Sequence, residues 1–178
     1  KISQATVVAL RQLSSDGLLI LFATGRSRPA VDHIVKQLGL AVPLPAICYN
    51  GSNGVFFPPT GSEEAIADLF TDPVPNNCVD LVLKLAKDFG WVVQYYIGEE
   101  IYAACETELH FEHCRRYANL TSAKQIFVAD YADARSRGLP YKLLILGPDP
   151  DEIVAAAERD FPPGVMHIIR GDGFFAEF

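Results

Sequence analysis

Six consecutive apolar residues, Leu18 to Ala23, stop abruptly at Thr24, Gly25 and Arg26, and this junction constrains the chain more than any other feature. An unbroken apolar run of that length is the pattern of a strand covered on both faces, as in a parallel sheet. Open α/β sheets bind their ligands beyond the carboxyl ends of such strands, where the next helix begins. Thr24 stands at that edge. Gly25 lets the backbone approach an anion closely, the amides opening the following helix aim partial positive charge at the same place, and Arg26 adds a permanent cation. Thr24, Gly25 and Arg26 are therefore candidate contacts for a phosphate-like anion.

The flanking pattern agrees. Ile2 to Leu13 reads as an amphipathic helix stopped by Asp16-Gly17, and Ser27 is placed to cap a second helix with Pro29 in its first turn. Val31, Ile34, Val35 and Leu38 line one face of that helix, which Gly39 ends. Pro45 to Tyr49 form another short buried strand, Asn50 to Gly54 a turn, and Val55 to Phe57 the return strand of a hairpin. This succession is part of a doubly wound α/β core.

Pro58-Pro59-Thr60-Gly61-Ser62 punctuates the chain and predicts a boundary, with domains over 1–58 and 59–178. Beyond it the spacing predicts a helix over 63–70, a Pro-rich turn over 72–75 and a helix over 77–89. A hairpin of 91–97 with 100–105 follows, then a helix over 108–117 and a strand over 125–129 with antiparallel partners. The last third reads as a strand over 141–146, a helix opened by the N-cap Asp149 with Pro150 and a capping-box Glu152, and strands over 165–170 and 174–178 about the Gly171-Asp172-Gly173 turn. The fold class is thus α/β: a partial doubly wound core followed by an α+β domain whose sheet is mainly antiparallel.

A formal charge of −7 leaves no basic stripe for nucleic acid or for a membrane surface. No apolar run approaches the roughly 20 residues needed to span a bilayer, and a cytoplasmic protein is expected. The cysteines Cys48, Cys78, Cys105 and Cys114 form no Cys-x-x-Cys pair and read as reduced, individually buried thiols. Cys105, His110, His113 and Cys114 fall close together, but no second ligand pair follows, so no metal is expected among them.

The two strand ends, Thr24-Gly25-Arg26 and Asn50-Gly51-Ser52, resemble motifs of the haloacid dehalogenase-like hydrolases, in particular the Cof-type branch with a large cap domain. In that family a second motif ends in Thr or Ser, often followed by Gly-Arg, and the next strand ends in Asn-Gly-Ala or similar. Ser52 stands where alanine is usual. The resemblance implies a Rossmann-like hydrolase core over 1–58 and a cap over 59–178 that sets substrate specificity. It further implies a magnesium-dependent phosphatase for a small phosphorylated metabolite, such as a sugar phosphate, acting through an aspartyl-phosphate.

In that scheme Thr24 positions the phosphate, while Gly25, Arg26, Asn50 and Gly51 contact substrate. The nucleophile motif is expected upstream of Lys1, and the lysine and acidic loop that complete the magnesium site downstream of Phe178. The chain is accordingly expected to be a fragment, inactive alone, with apolar edges that favour self-association. Asp149-Pro150-Asp151 has the form of an aspartate pair, and Gly171-Asp172-Gly173 that of an acidic loop. Helix capping and a tight turn account for both better. The alternatives are a phosphomutase relative, marked by a bisphosphorylated activator, and a non-catalytic binding protein on the same scaffold.

Overall fold

The computed structural model describes residues 2–121 and 124–178, so Lys1 lies outside it. The described residues form six α-helices and ten strands in two sheets, a mixed α/β architecture. Compact packing divides the chain into two units, residues 1–72 and 73–178.

In the first unit, α1 (Gln4–Ser15) starts at Ser3, whose hydroxyl accepts from the Thr6 amide at 3.1 Å. Next come β1 (Phe22–Ala23), α2 (Arg28–Leu38), β2 (Leu44–Cys48), β3 (Asn53–Phe57) and β4 (Ala67–Thr71), and the sheet order is β1-β2-β3-β4. β1 and β2 are parallel, with α2 as their crossover, whereas β2–β3 and β3–β4 are antiparallel. Gly39 terminates α2 in the left-handed region, and Arg11 of α1 donates to the Leu38 carbonyl there at 2.5 Å.

Two expectations fail in this unit. Only Phe22 and Ala23 of the apolar run pair as strand, opposite Ala46 and Ile47 of β2, and Leu18, Leu19 and Leu21 are exposed. The helix expected over 63–70 does not form: 63–66 have no regular structure and the chain continues as β4. Asn53 Nδ2 donates to Asp68 Oδ1 at 3.1 Å and to the Phe70 carbonyl at 3.2 Å, tying β4 to β3. The Phe70 ring lies over Gly54, where a Cβ would come within 2.2 Å of it. The chain therefore leaves this unit at Asp72, after β4, rather than at the Pro58-Pro59 punctuation.

The second unit holds α3 (Asn76–Phe89), β5 (Val92–Ile97), β6 (Glu100–Ala104), α4 (Glu108–Thr121), β7 (Gln125–Val128), α5 (Tyr131–Arg135), β8 (Lys142–Leu146), α6 (Pro150–Asp160), β9 (Ile169–Arg170) and β10 (Phe175–Glu177). Its sheet runs β7-β6-β5-β8-β10-β9. Most of the pairs are antiparallel, but β7 joins β6 in parallel, correcting the expected antiparallel pairing. The α4 crossover explains this, since a helix-length connection is what a parallel neighbour requires.

One core gathers Val79, Val82 and Leu85 of α3, Val93 and Tyr95 of β5, Leu143 and Ile145 of β8, and Ile153 and Ala157 of α6. β8 is buried along its whole length. Its Lys142 is buried and paired with Glu177 of β10 at 3.2 Å. Tyr95, Tyr96 and Tyr102 are core residues. Asp149 caps α6 by accepting from the Asp151 amide at 2.9 Å, as its N-cap position predicts. Among the described residues Glu152 makes no capping-box bond; Arg170 instead grips the Asp151 carboxylate through Nε at 2.5 Å and Nη2 at 3.0 Å. That guanidinium holds the Asp151 carboxyl below the ordinary carboxylate range. No helix of the described residues is long and apolar enough to cross a membrane.

Candidate functional site

The candidate corner lies within the first unit, where β1 and β2 both end. Thr24 extends the parallel ladder by one more bond, its amide donating to the Ile47 carbonyl at 2.9 Å. The chain then turns, and the Arg26 amide donates to Thr24 Oγ1 at 3.2 Å, closing a hydroxyl-stabilised turn just ahead of α2. Ser27 occupies the N-cap position of α2 with extended backbone, but its side chain makes no capping bond. Pro29 sits in the first turn as expected.

The second strand end is locked onto the first. Asn50 N–H donates to the Thr24 carbonyl at 3.3 Å, and Tyr49 N–H donates to the Arg26 carbonyl at 3.0 Å. Reaching back in this way requires an unusual path. Tyr49 (φ 52°), Asn50 (φ 56°) and Gly51 (φ 115°) are consecutive residues with positive φ. Asparagine and glycine tolerate that region, while tyrosine does so at a cost of order 1 kcal/mol. Sequence reasoning missed Tyr49, because the local signal, Asn-Gly, marks only the residues after it.

Gly25 is explained by contact. A Cβ placed there would lie 2.2 Å from Asn50 Oδ1, so the missing side chain is what allows the two turns to touch. The structure thus brings Thr24, Gly25, Arg26, Asn50 and Gly51, picked from two separate strand ends, into one corner. Thr24 is half-buried, whereas Arg26 and Asn50 are exposed. With Oγ1 accepting from Arg26, the Thr24 hydroxyl hydrogen is left to donate outward. The Arg26 guanidinium has no ion-pair partner among the described residues.

Chemically, this is a cradle of donors and positive charge, suited to an anionic oxygen. It does not fit a magnesium ion, which takes hard oxygen ligands with carboxylates prominent among them. Among the described residues no group of three or more His, Cys, Asp or Glu side chains is placed to hold a metal. A separate groove of about 540 Å³ in the same unit is lined by Leu18, Leu19, Val42, Pro43, Phe56 and Pro58, among others. None of the five corner residues lines it, and its walls offer an anion almost nothing.

In the second unit, His110 is engaged structurally: its Nδ1 accepts from the Glu106 amide at 3.2 Å and its Nε2 faces the Gly90 carbonyl at 3.0 Å. The cysteines are not all isolated from one another, as the sequence led us to expect. Cys105 and Cys114 place their sulfurs 3.8 Å apart.

The chain spans 99% of its own length against each of three solved structures. A haloacid dehalogenase-like hydrolase from Bacteroides thetaiotaomicron matches at 17% identity and TM-score 0.71 over 64% of that protein. A Thermotoga maritima protein matches at 19% and 0.72 over 62% of its length. A sugar phosphatase of haloacid dehalogenase subclass IIB matches at 17% and 0.69, again over 62%. The chain therefore spans a little under two thirds of the length of these neighbours, and at such identities the likeness is one of fold. No curated protein is significantly similar in sequence. The family model for haloacid dehalogenase-like hydrolases matches residues 1–165. With that match covering nearly the whole chain, and the fold and strand-end motifs in agreement, the chain belongs to the haloacid dehalogenase-like hydrolase family.

Proposed function

We propose that the Thr24–Arg26 and Asn50–Gly51 turns are the phosphate-binding part of a phosphatase active site whose substrate is a small phosphorylated metabolite of the sugar-phosphate kind. The observation that carries this reading is the bonding of the two turns to each other, Asn50 N–H to the Thr24 carbonyl and Tyr49 N–H to that of Arg26. These bonds hold a hydroxyl, an amide-rich turn and an unpaired guanidinium at one strand edge. One neighbouring fold belongs to a sugar phosphatase, and another to a phosphoryl-transfer superfamily with a trigonal-bipyramidal intermediate.

In this reading Thr24 donates its hydroxyl hydrogen to a phosphoryl oxygen and Arg26 balances the dianion's charge. Gly25 keeps the backbone close enough for its neighbours to reach the ligand. Such preset donors act by orientation and by countering charge as it moves during transfer. The family's aspartyl-phosphate chemistry and magnesium ion require carboxylates that this corner does not provide. Asp149 and Asp151, the chain's own aspartate pair, are engaged as a helix cap and with Arg170. Residues 1–178 alone accordingly bind phosphate esters without turning them over.

Titration of the purified chain with glucose 6-phosphate, followed by backbone amide NMR, tests this. Shifts centred on Thr24 to Ser27 and Asn50 to Ser52 are expected. Thr24→Ala and Arg26→Ala should each weaken binding by about tenfold, the effect of losing one hydrogen bond to a charged group worth about 1.5 kcal/mol. Shifts elsewhere, or none, overturn the assignment. Hydrolysis by the chain that is abolished by EDTA and by Thr24→Ala overturns the statement on turnover.

A further inference from the structure

Two thiols in the second unit have no place in the proposed phosphate chemistry. Cys105 directly follows β6, Cys114 stands in the second turn of α4, and their sulfurs approach to 3.8 Å. Cys114 is wholly buried, while Cys105 is partly exposed. The short connection between them is fixed at both ends: the Glu106 amide bonds to His110 on α4 at 3.2 Å, and Gln125 of β7 donates to the Cys114 carbonyl at 2.9 Å. The sulfurs therefore meet because the backbone places them, not through chance approach of two mobile side chains.

Their surroundings are also suited to thiol chemistry. Donation from the Cys114 S–H and the nearby Arg115 charge hold the Cys105 thiol below its ordinary value, while Cys105 and burial push Cys114 up. Fully buried Gln94 has an amide nitrogen without a hydrogen-bond partner among the described residues, and Gln94 offsets only a part of the rise at Cys114. The pair thus has a partly exposed member that ionises ahead of its partner and a buried member beside it, the arrangement of an attacking and a resolving cysteine. The other two cysteines lack it. Burial raises the Cys48 thiol, and Cys78 is buried with its S–H directed at the Val165 carbonyl.

We propose that Cys105 and Cys114 form a reversible intramolecular disulfide when the protein meets hydrogen peroxide. The Cys105 thiolate attacks a peroxide oxygen: an S–O bond forms, the O–O bond breaks, and the departing hydroxide takes up a proton to leave as water. Cys114 then attacks the sulfenic sulfur of Cys105. An S–S bond forms, the S–O bond breaks, and the hydroxyl leaves as a second water with the Cys114 proton. Two thiols are oxidised and one peroxide is reduced to two waters, and a dithiol reductant reverses the bond. The sulfurs have to close by less than 2 Å to reach a bond length of about 2.0 Å, a movement that turning the partly exposed Cys105 side chain supplies. The product ties α4 covalently to the end of β6.

The test uses the whole chain, reduced, freed of reductant and exposed to hydrogen peroxide, followed by intact-mass measurement and peptide mapping without reduction. The expected result is a mass lower by two hydrogens and one cross-linked peptide pair containing Cys105 and Cys114, both reversed by dithiothreitol. Cys105→Ser should abolish the cross-link and Cys78→Ser leave it in place. Should Cys105→Ser fail to fold, differential alkylation of the wild-type chain before and after peroxide reads the same pairing. A bridge to Cys48 or Cys78, a bridge between chains, or a sulfinic acid at Cys105 with Cys114 still free overturns the proposal. This outcome is independent of the phosphate titration, so either reading fails alone.

Discussion

The two units are stabilised in different ways. In the second, a six-stranded sheet carries helices with it, and its central strand β8 is buried at every residue. In the first, a four-stranded sheet ends in β4, exposed at every residue, and Leu18, Leu19 and Leu21 lead up to β1 in the open. What orders the first unit near its candidate site is local hydrogen bonding and close backbone contact, above all between Thr24–Arg26 and Tyr49–Gly51. The difference teaches that burial and chemistry are carried by separate parts of this chain. The segment with the denser core supplies rigidity, and the segment with the candidate turns keeps its donors near solvent.

Substitutions that remove burial from the second unit should have the largest effect. Leu143→Ala, in β8, is expected to cost about 3 kcal/mol, the transfer and cavity terms of a wholly buried leucine. Trp91 is the chain's single tryptophan and is buried in this unit, so urea denaturation followed by its fluorescence isolates the transition. A loss below 1 kcal/mol would mean the core is loosely packed and the contrast overstated.

Tyr131→Phe follows. The Tyr131 hydroxyl donates to the Val93 carbonyl at 2.7 Å and accepts from the Val93 amide at 2.8 Å, so the phenylalanine leaves a buried strand residue with unmet backbone groups. The expected cost is about 2 kcal/mol. Burial raises the Tyr131 hydroxyl well above its ordinary value of 10.0. Because the unfolded chain ionises first, this group's contribution is complete below pH 10 and declines as the pH rises above it. The wild-type Trp91 transition should therefore weaken in alkali, with a shallower decline in Tyr131→Phe.

Gly25→Ala sharpens the comparison from the other side. Its Cβ would collide with Asn50 Oδ1, and swinging that side chain away should cost about 1 kcal/mol while speeding amide exchange at Asn50. The Gly25→Ala/Asn50→Gly double variant removes the obstruction and should restore slow exchange. Trp91 fluorescence melts should be unchanged in both. The smallest effect is expected from Asp32→Ala, which removes the exposed Lys36–Asp32 pair of α2 and should alter stability by less than about 0.5 kcal/mol in a thermal melt.

The candidate site was legible where its residues act through their own backbone chemistry. Thr24, Gly25, Arg26, Asn50 and Gly51 are turn and anion-binding types at strand ends, and both strand ends announced themselves by apolar runs. Asp149 and Pro150 likewise marked the start of α6 unaided. What was not legible depended on partners distant in sequence. Ala67–Thr71 has helix-forming neighbours, and its pairing with β3, helped by the Asn53 amide and the space over Gly54, makes it a strand. The parallel pairing of β7 follows from the α4 crossover, which strand composition does not reveal. The approach of Cys105 to Cys114 combines a strand end with a helix face, so eight intervening residues hide it from any spacing rule.

The sheet order of the second unit also has a kinetic consequence. β5 and β6 meet across a two-residue turn, and β8 and β10 are separated by α6 and β9, so each pair forms over a shorter stretch of chain than β5 and β8 do. The seam between β5 and β8, from Val92 opposite Leu146 to Tyr96 opposite Lys142, joins them only after everything from Gly98 to Tyr141 has been looped out. Closing so long a loop is entropically the costliest step of the assembly. During synthesis the β5–β6 hairpin must wait with one edge unsatisfied until β8 has left the ribosome, and the rate at which that seam closes sets how long the edge is open to the wrong partner.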